Sequence, residues 1–109
     1  MSVKEISASQ LKGWLTGDVS IKPILIDVRE PWEYDIAKIE NAELIPMGNI
    51  PLKLDSLNPD KPYVIFCHHG LRSMKVALFL MQNGFSEVFN LLGGIEAWRQ
   101  QVDDSISSY

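Results

Sequence analysis

The sequence predicts an α/β domain on a mainly parallel sheet, and three observations carry that reading. Two short runs, 24–28 (Ile-Leu-Ile-Asp-Val) and 63–66 (Tyr-Val-Ile-Phe), are apolar without alternation, as strands covered on both faces are. Segments with helical spacing of apolar residues stand between the strand-like runs, the rhythm of parallel strands joined by helices. The first run meets Asp27 near its end and the second delivers Cys67 just past its end, at the sheet edge where open α/β sheets bind ligands.

From the N-terminus, Ser7 and Gln10 have the spacing of a capping box, so a helix through Leu15 is expected, leaving at Gly17-Asp18. The strand 24–28 follows. Pro31 suits the first turn of a short helix bearing Trp32, Glu33, Tyr34 and Ile36. A weaker strand is expected over 42–45, stopped by Pro46. Ile50, Leu54 and Leu57 lie at helical spacing before the breaker Asn58-Pro59-Asp60. Beyond the strand at 63–66, residues 73–83 read as a helix closed by Gly84. A last strand is expected over 87–91, a tight turn at Gly93-Gly94 and a last helix over 95–101. Trp32, Tyr34 and Trp98 are expected to pack rather than to bind a ligand, and Met74, Leu78, Leu80 and Met81 to take core or helix-face positions.

The chain has 109 residues, enough for one domain, expected over 1–109 with its core over about 3–101 and a frayed tail at 102–109. A hydrophobic content of 46% and a charged content of 22% suit a buried core. The net charge of −4 argues against nucleic-acid or anionic-membrane binding, which needs clustered Lys and Arg. No apolar run reaches the roughly 18 residues of a membrane span, and no apolar stretch follows the first charges as in a secretory signal. A cytoplasmic location is the expectation. The single cysteine forms no internal disulfide, so packing must hold the fold.

The chemistry is concentrated in Cys67-His68-His69-Gly70-Leu71-Arg72-Ser73. A thiol ends a buried strand, and a short loop containing one glycine leads into a helix. Amides of such a loop, with the unpaired amides of the first helical turn, can converge on one anionic atom. That arrangement favours thiolate over the ordinary thiol of pKa about 8.5. Arg72 and Lys75 add positive charge beside the loop, suiting an anionic ligand. Gly70 can take positive φ and let the backbone approach closely. The competing reading, an inert buried cysteine at a strand end, does not account for this loop and helix. Adjacent His68 and His69 beside one cysteine lack the spaced pairs of zinc sites, so neither a metal nor a cofactor is expected.

Here the sequence resembles the rhodanese family. The loop matches its pattern of cysteine, four residues, then Arg and Ser. Leu25-Ile26-Asp27-Val28-Arg29-Glu30-Pro31-Trp32-Glu33-Tyr34 is similar to its early Asp-Val-Arg-Glu signature, and Leu92-Gly93-Gly94-Ile95-Glu96-Ala97-Trp98 to its Gly-Gly-aliphatic-x-x-Trp signature. The three motifs stand in order and span nearly the whole chain. One segment departs: Ala37-Lys38-Ile39-Glu40-Asn41-Ala42 stands where the family usually has Gly-His-Ile-x-Gly-Ala.

The resemblance implies a five-stranded, mainly parallel sheet with helices on both faces, and sulfur transfer in two steps. Cys67 would take sulfane sulfur from a small anionic donor such as thiosulfate, hold it as a persulfide, and yield it to cyanide, a thiol or a sulfur-carrier protein. The backbone of His68, His69, Gly70, Leu71, Arg72 and Ser73 would cradle the negative charge. Arg72 is the expected donor-anion contact, with a solvated first-turn Arg or a loop brace as the alternative. His68 and His69, as adjacent loop residues, are expected to point in different directions, so that at most one lines the pocket. Asp27 and Arg29 are expected to support the site from behind, pairing with loop groups or with Glu33.

Two rivals stand beside this reading. A phosphatase or arsenate reductase of similar fold uses a Cys-to-Arg loop one residue longer, whereas four residues, His68 to Leu71, intervene here. A rhodanese-fold carrier or partner-binding module with little turnover of its own is the non-enzymatic alternative.

Overall fold

The computed structural model of the chain describes residues 2–109; Met1, included in the expected domain, lies outside them. Five strands, β1 (Lys4–Ile6), β2 (Ile24–Asp27), β3 (Glu43–Leu44), β4 (Pro62–Phe66) and β5 (Glu87–Leu91), form one sheet in the order β1-β5-β4-β2-β3, with every neighbouring pair parallel. The helices are α1 (Ala8–Thr16), α2 (Pro31–Ile36), α3 (Ile50–Lys53), α4 (Leu71–Gln82) and α5 (Gly94–Gln101). Single 3₁₀ turns, Met47–Asn49 and Leu54–Ser56, flank α3.

The side-chain period of two sorts each strand between two cores. Ile26, Tyr63, Ile65, Cys67 and Val88 pack with Val76, Ala77 and Leu80 of α4 and with Ile50 of α3. Leu25, Val64, Phe66 and Leu91 pack on the other face with Leu11 of α1 and with Ile95 and Trp98 of α5. Both faces of the central strands are therefore covered, which is why their sequences run apolar without alternation.

Connections from β2 run outward to β3, and those from β4 run the opposite way to β5. The strand order thus reverses between β2 and β4, and the crevice at their carboxyl ends is where such sheets place ligands. Asp27 and Cys67 stand at those two ends.

Most elements follow the sequence reading. Ser7 Oγ accepts from the Gln10 amide at 3.1 Å and Gln10 Oε1 from the Ser7 amide at 2.9 Å, closing the capping box of α1. The strand β1 had no counterpart in that reading: Lys-Glu-Ile is too short to show a period, and only pairing with β5 defines it. The helix expected from residue 73 begins at Leu71, and that expected over 50–57 breaks into α3 and its flanking turns.

The departing segment keeps its path. Ala37 and Ile39 are buried, and Asn41 takes φ of 68°, the left-handed turn that Asn tolerates better than other side-chain-bearing residues. Lys38 lies over the Tyr34 ring, 5.4 Å from its centroid.

Trp32, 59% exposed, packs edge-on against Tyr109, and Leu78 takes an exposed position on the face of α4. One expectation is corrected. The tail does not fray. The amides of Val102 and Asp103 donate to Trp98 O, Ile106 packs on the α1–α5 core, and Tyr109 docks beside α2.

Candidate functional site

Cys67 lies one residue beyond β4, the middle strand, and is 1% exposed. The chain turns back over it through Gly70, at φ of 114°, into the first turn of α4. Its Sγ accepts from the Gly70 amide at 3.1 Å and from the Ser73 amide at 3.4 Å. Burial, the largest influence, pushes the thiol up. The Ser73 hydroxyl and the amides of Ser73, Gly70 and His69 outweigh it and hold Cys67 below its ordinary value.

Ser73 Oγ lies 3.4 Å from Sγ and donates to Asn90 Oδ1 at 2.5 Å. A hydroxyl has one proton, so Ser73 supports the thiolate only when that proton turns from Asn90 to sulfur. The amides have no such competition. Asn90 also donates from Nδ2 to Gly70 O at 3.2 Å, tying the loop to β5.

The Gly93-Gly94 turn fixes the loop from behind. Ile95 N donates to Cys67 O at 2.9 Å and Glu96 N to His68 O at 3.2 Å, so first-turn amides of α5 find their acceptors in the cysteine loop. A Cβ on Gly94, at φ of 62°, would sit 2.4 Å from His68 O and 2.5 Å from Cys67 O. Only glycine lets the two backbones approach so closely.

Arg72 is paired with Glu33. Its Nη1 and Nη2 donate to Glu33 Oε2 and Oε1 at 2.7 and 2.8 Å, joining α4 to α2. Hydrogen bonding to Arg72, followed by the opposing effect of burial and by the Glu30 amide and Tyr109 hydroxyl, brings the Glu33 carboxyl down to about 2. Of the positive charge expected beside the loop, that of Arg72 is thus matched by a carboxylate from another part of the chain.

Asp27 and Arg29, expected to pair with loop groups or with Glu33, form a buried pair with each other. Arg29 Nε and Nη2 donate to Asp27 Oδ1 and Oδ2 at 2.9 and 2.7 Å, both side chains being fully buried. Arg29 also donates to Ala37 O at 2.6 Å, Glu33 O at 3.3 Å and the Tyr109 hydroxyl at 2.8 Å. It ties the C-terminal turn of α2 to the tail, and reaches Glu33 through its backbone.

The two histidines do not diverge. Their rings stack at 4.0 Å between centroids, and Tyr109 stacks on His68 at 3.9 Å and 8°. Burial, then the neighbouring His69, holds His68 below its ordinary imidazole value. Leu71 is 80% exposed at the start of α4, on the outer rim of the loop.

Sequence reasoning passed over Glu33 as a site residue and missed Asn90 and Tyr109. Asn90 leaves one signal, a polar residue inside the strand run Glu-Val-Phe-Asn-Leu. Tyr109 leaves none, since tertiary docking alone gives it a role.

The comparisons agree with this geometry. Residues 7–101 match the profile of the rhodanese-like domain. YtwF of Bacillus subtilis, a sulfurtransferase by name, is 44% identical over 102 residues, covering 94% of this chain and 96% of its own. The thiosulfate sulfurtransferase GlpE of Coxiella burnetii is 34% identical over 76 residues, covering 70% of this chain and 71% of its own. The crystal structure of a rhodanese-like domain protein from Staphylococcus aureus superposes with a TM-score of 0.82 at 36% identity, covering 98% of this chain and 99% of that one. With its cysteine loop, Gly-Gly turn and reversed strand order in a matching fold, the chain belongs to the rhodanese-like domain family.

Proposed function

We propose that the chain is a thiosulfate sulfurtransferase working through a persulfide on Cys67. One observation carries the reading: a thiol held below its ordinary pKa, its sulfur facing the amides of Gly70 and Ser73. Thiolate Cys67 attacks the outer sulfur of thiosulfate. The new S–S bond forms as the old one breaks, and sulfite leaves with the electron pair. The product, Cys67–S–S⁻, then meets a nucleophile; with cyanide, a C–S bond forms, thiocyanate leaves and the thiolate returns. A thiol or a sulfur-carrier protein could take the place of cyanide. The loop amides are preorganised donors for the negative charge in both steps.

Steady-state kinetics with thiosulfate and cyanide test the cycle. Parallel double-reciprocal lines are expected, with no thiocyanate formed by Cys67→Ser. Intersecting lines, or turnover surviving in the variant, contradict it. The closed resting geometry, with Cys67 buried and Arg72 paired to Glu33, favours one second reading, a sulfur carrier with little turnover of its own. Stoichiometric sulfur uptake without multiple turnovers would select that reading.

A further inference from the structure

Tyr109 has no part in the transfer steps above, yet its side chain is tied to the site on several sides. Its ring stacks on His68, Trp32 packs edge-on against it at 6.0 Å, and its hydroxyl sits between two charged groups. That hydroxyl accepts from Arg29 Nη1 at 2.8 Å and donates to Glu33 Oε1 at 2.9 Å. Arg29 in turn polarises the phenol and strengthens it as a donor.

Glu33 gathers four hydrogen bonds. Oε1 accepts from Tyr109 and from Arg72 Nη2, and Oε2 from Arg72 Nη1 and, at 2.8 Å, from the Glu30 amide. Its side chain is only 4% exposed, whereas that of Arg72 is 33% exposed. Arg72 is therefore the partner with room to swing away. A buried carboxylate that loses its only donor is costly, and that cost would lock Arg72 in place. With Tyr109 on Oε1 and the Glu30 amide on Oε2, each oxygen keeps a donor when Arg72 departs.

We propose that Tyr109 is a positioning residue that makes Arg72 available to an anion at Cys67, by satisfying Glu33 Oε1 in its place. The identity of that anion as a sulfur donor rests on the sulfurtransferase reading; the Tyr109–Glu33–Arg72 linkage does not. Tyr109→Phe keeps the ring against His68 and removes only the hydroxyl. Oε1 then depends on Arg72 alone, and Arg72 stays where it is.

The test compares alkylation of Cys67 by iodoacetate and iodoacetamide, which react with the same sulfur but differ in charge. Their rate ratio is measured in the wild type, Tyr109→Phe, Arg72→Ala and the double variant. Tyr109→Phe should lower the iodoacetate-to-iodoacetamide ratio by about tenfold, the scale of one hydrogen bond to a charged group. In the Arg72→Ala background it should change nothing further, because the group it acts through is gone. An unchanged ratio in Tyr109→Phe, or an equal loss in both backgrounds, overturns the proposal. Thiosulfate kinetics should follow the same pattern, with KM raised in Tyr109→Phe and kcat at saturation kept. A wild type taking up no sulfur would refute the sulfurtransferase reading, while the alkylation ratio would still decide the role of Tyr109.

Discussion

Two influences on Cys67 oppose each other: burial disfavours its charged form, and the loop's donors favour it. The donors win, so the pH profile of alkylation by iodoacetamide should inflect below the ordinary thiol value of about 8.5. An inflection at or above that value would mean that burial dominates. Glu33 gives a second titration. Its carboxyl falls from an ordinary 4.5 to about 2, with Arg72 the main cause. The pairing therefore stabilises the fold fully above about pH 4.5, and the contribution is lost as pH falls towards 2. Denaturation of the wild type and Glu33→Gln at pH 6 and pH 3 should show the wild type losing roughly 1–2 kcal/mol more than the variant. Parallel losses would remove Glu33 from the acid response. At this scale the sequence disclosed the residues contiguous with Cys67, because Gly70, Arg72 and Ser73 share one loop. It left the partner of Arg72 open, because Glu33 meets it across 39 positions of chain.

Among the elements, α5 does more than cover the sheet: its first-turn amides at Ile95 and Glu96 hold the carbonyls of Cys67 and His68. Gly94→Ala would put a methyl group inside contact distance of that backbone. Chemical denaturation should show a loss on the order of 2–3 kcal/mol, from overpacking and from strain at positive φ. Sulfur transfer should fall more steeply than stability alone explains, since the loop would be displaced. Stability and transfer both close to those of the wild type would show that the loop can retreat without cost. The Gly-Gly pair was legible as a turn, but its grip on the cysteine loop was not, because it exists only once β4 and β5 are neighbours. The same holds for β1, three residues that became a strand by pairing, and for Asn90, whose partners lie on the loop and on α4.

For the whole molecule, two cores on a parallel sheet follow from the unbroken apolar runs, and with them the crevice between β2 and β4. The tail is where the sequence misled. Its Asp and Ser residues suggest fraying, yet Ile106 and Tyr109 anchor it, the latter against Arg29 and Glu33. Removing residues 103–109 should leave a folded domain with its stability lowered by about 2 kcal/mol, from lost apolar burial and an unmet donor on Arg29. Urea midpoints read this directly, and an unchanged midpoint would mean that the docked tail contributes nothing to stability.

The persulfide on Cys67 is the central claim, and intact mass after exposure to thiosulfate tests it most directly. A gain of one sulfur atom, about 32 Da, that cyanide removes and Cys67→Ser lacks is the predicted result. Failure to gain sulfur from either thiosulfate or a persulfide donor would contradict it and leave a binding module on the same fold.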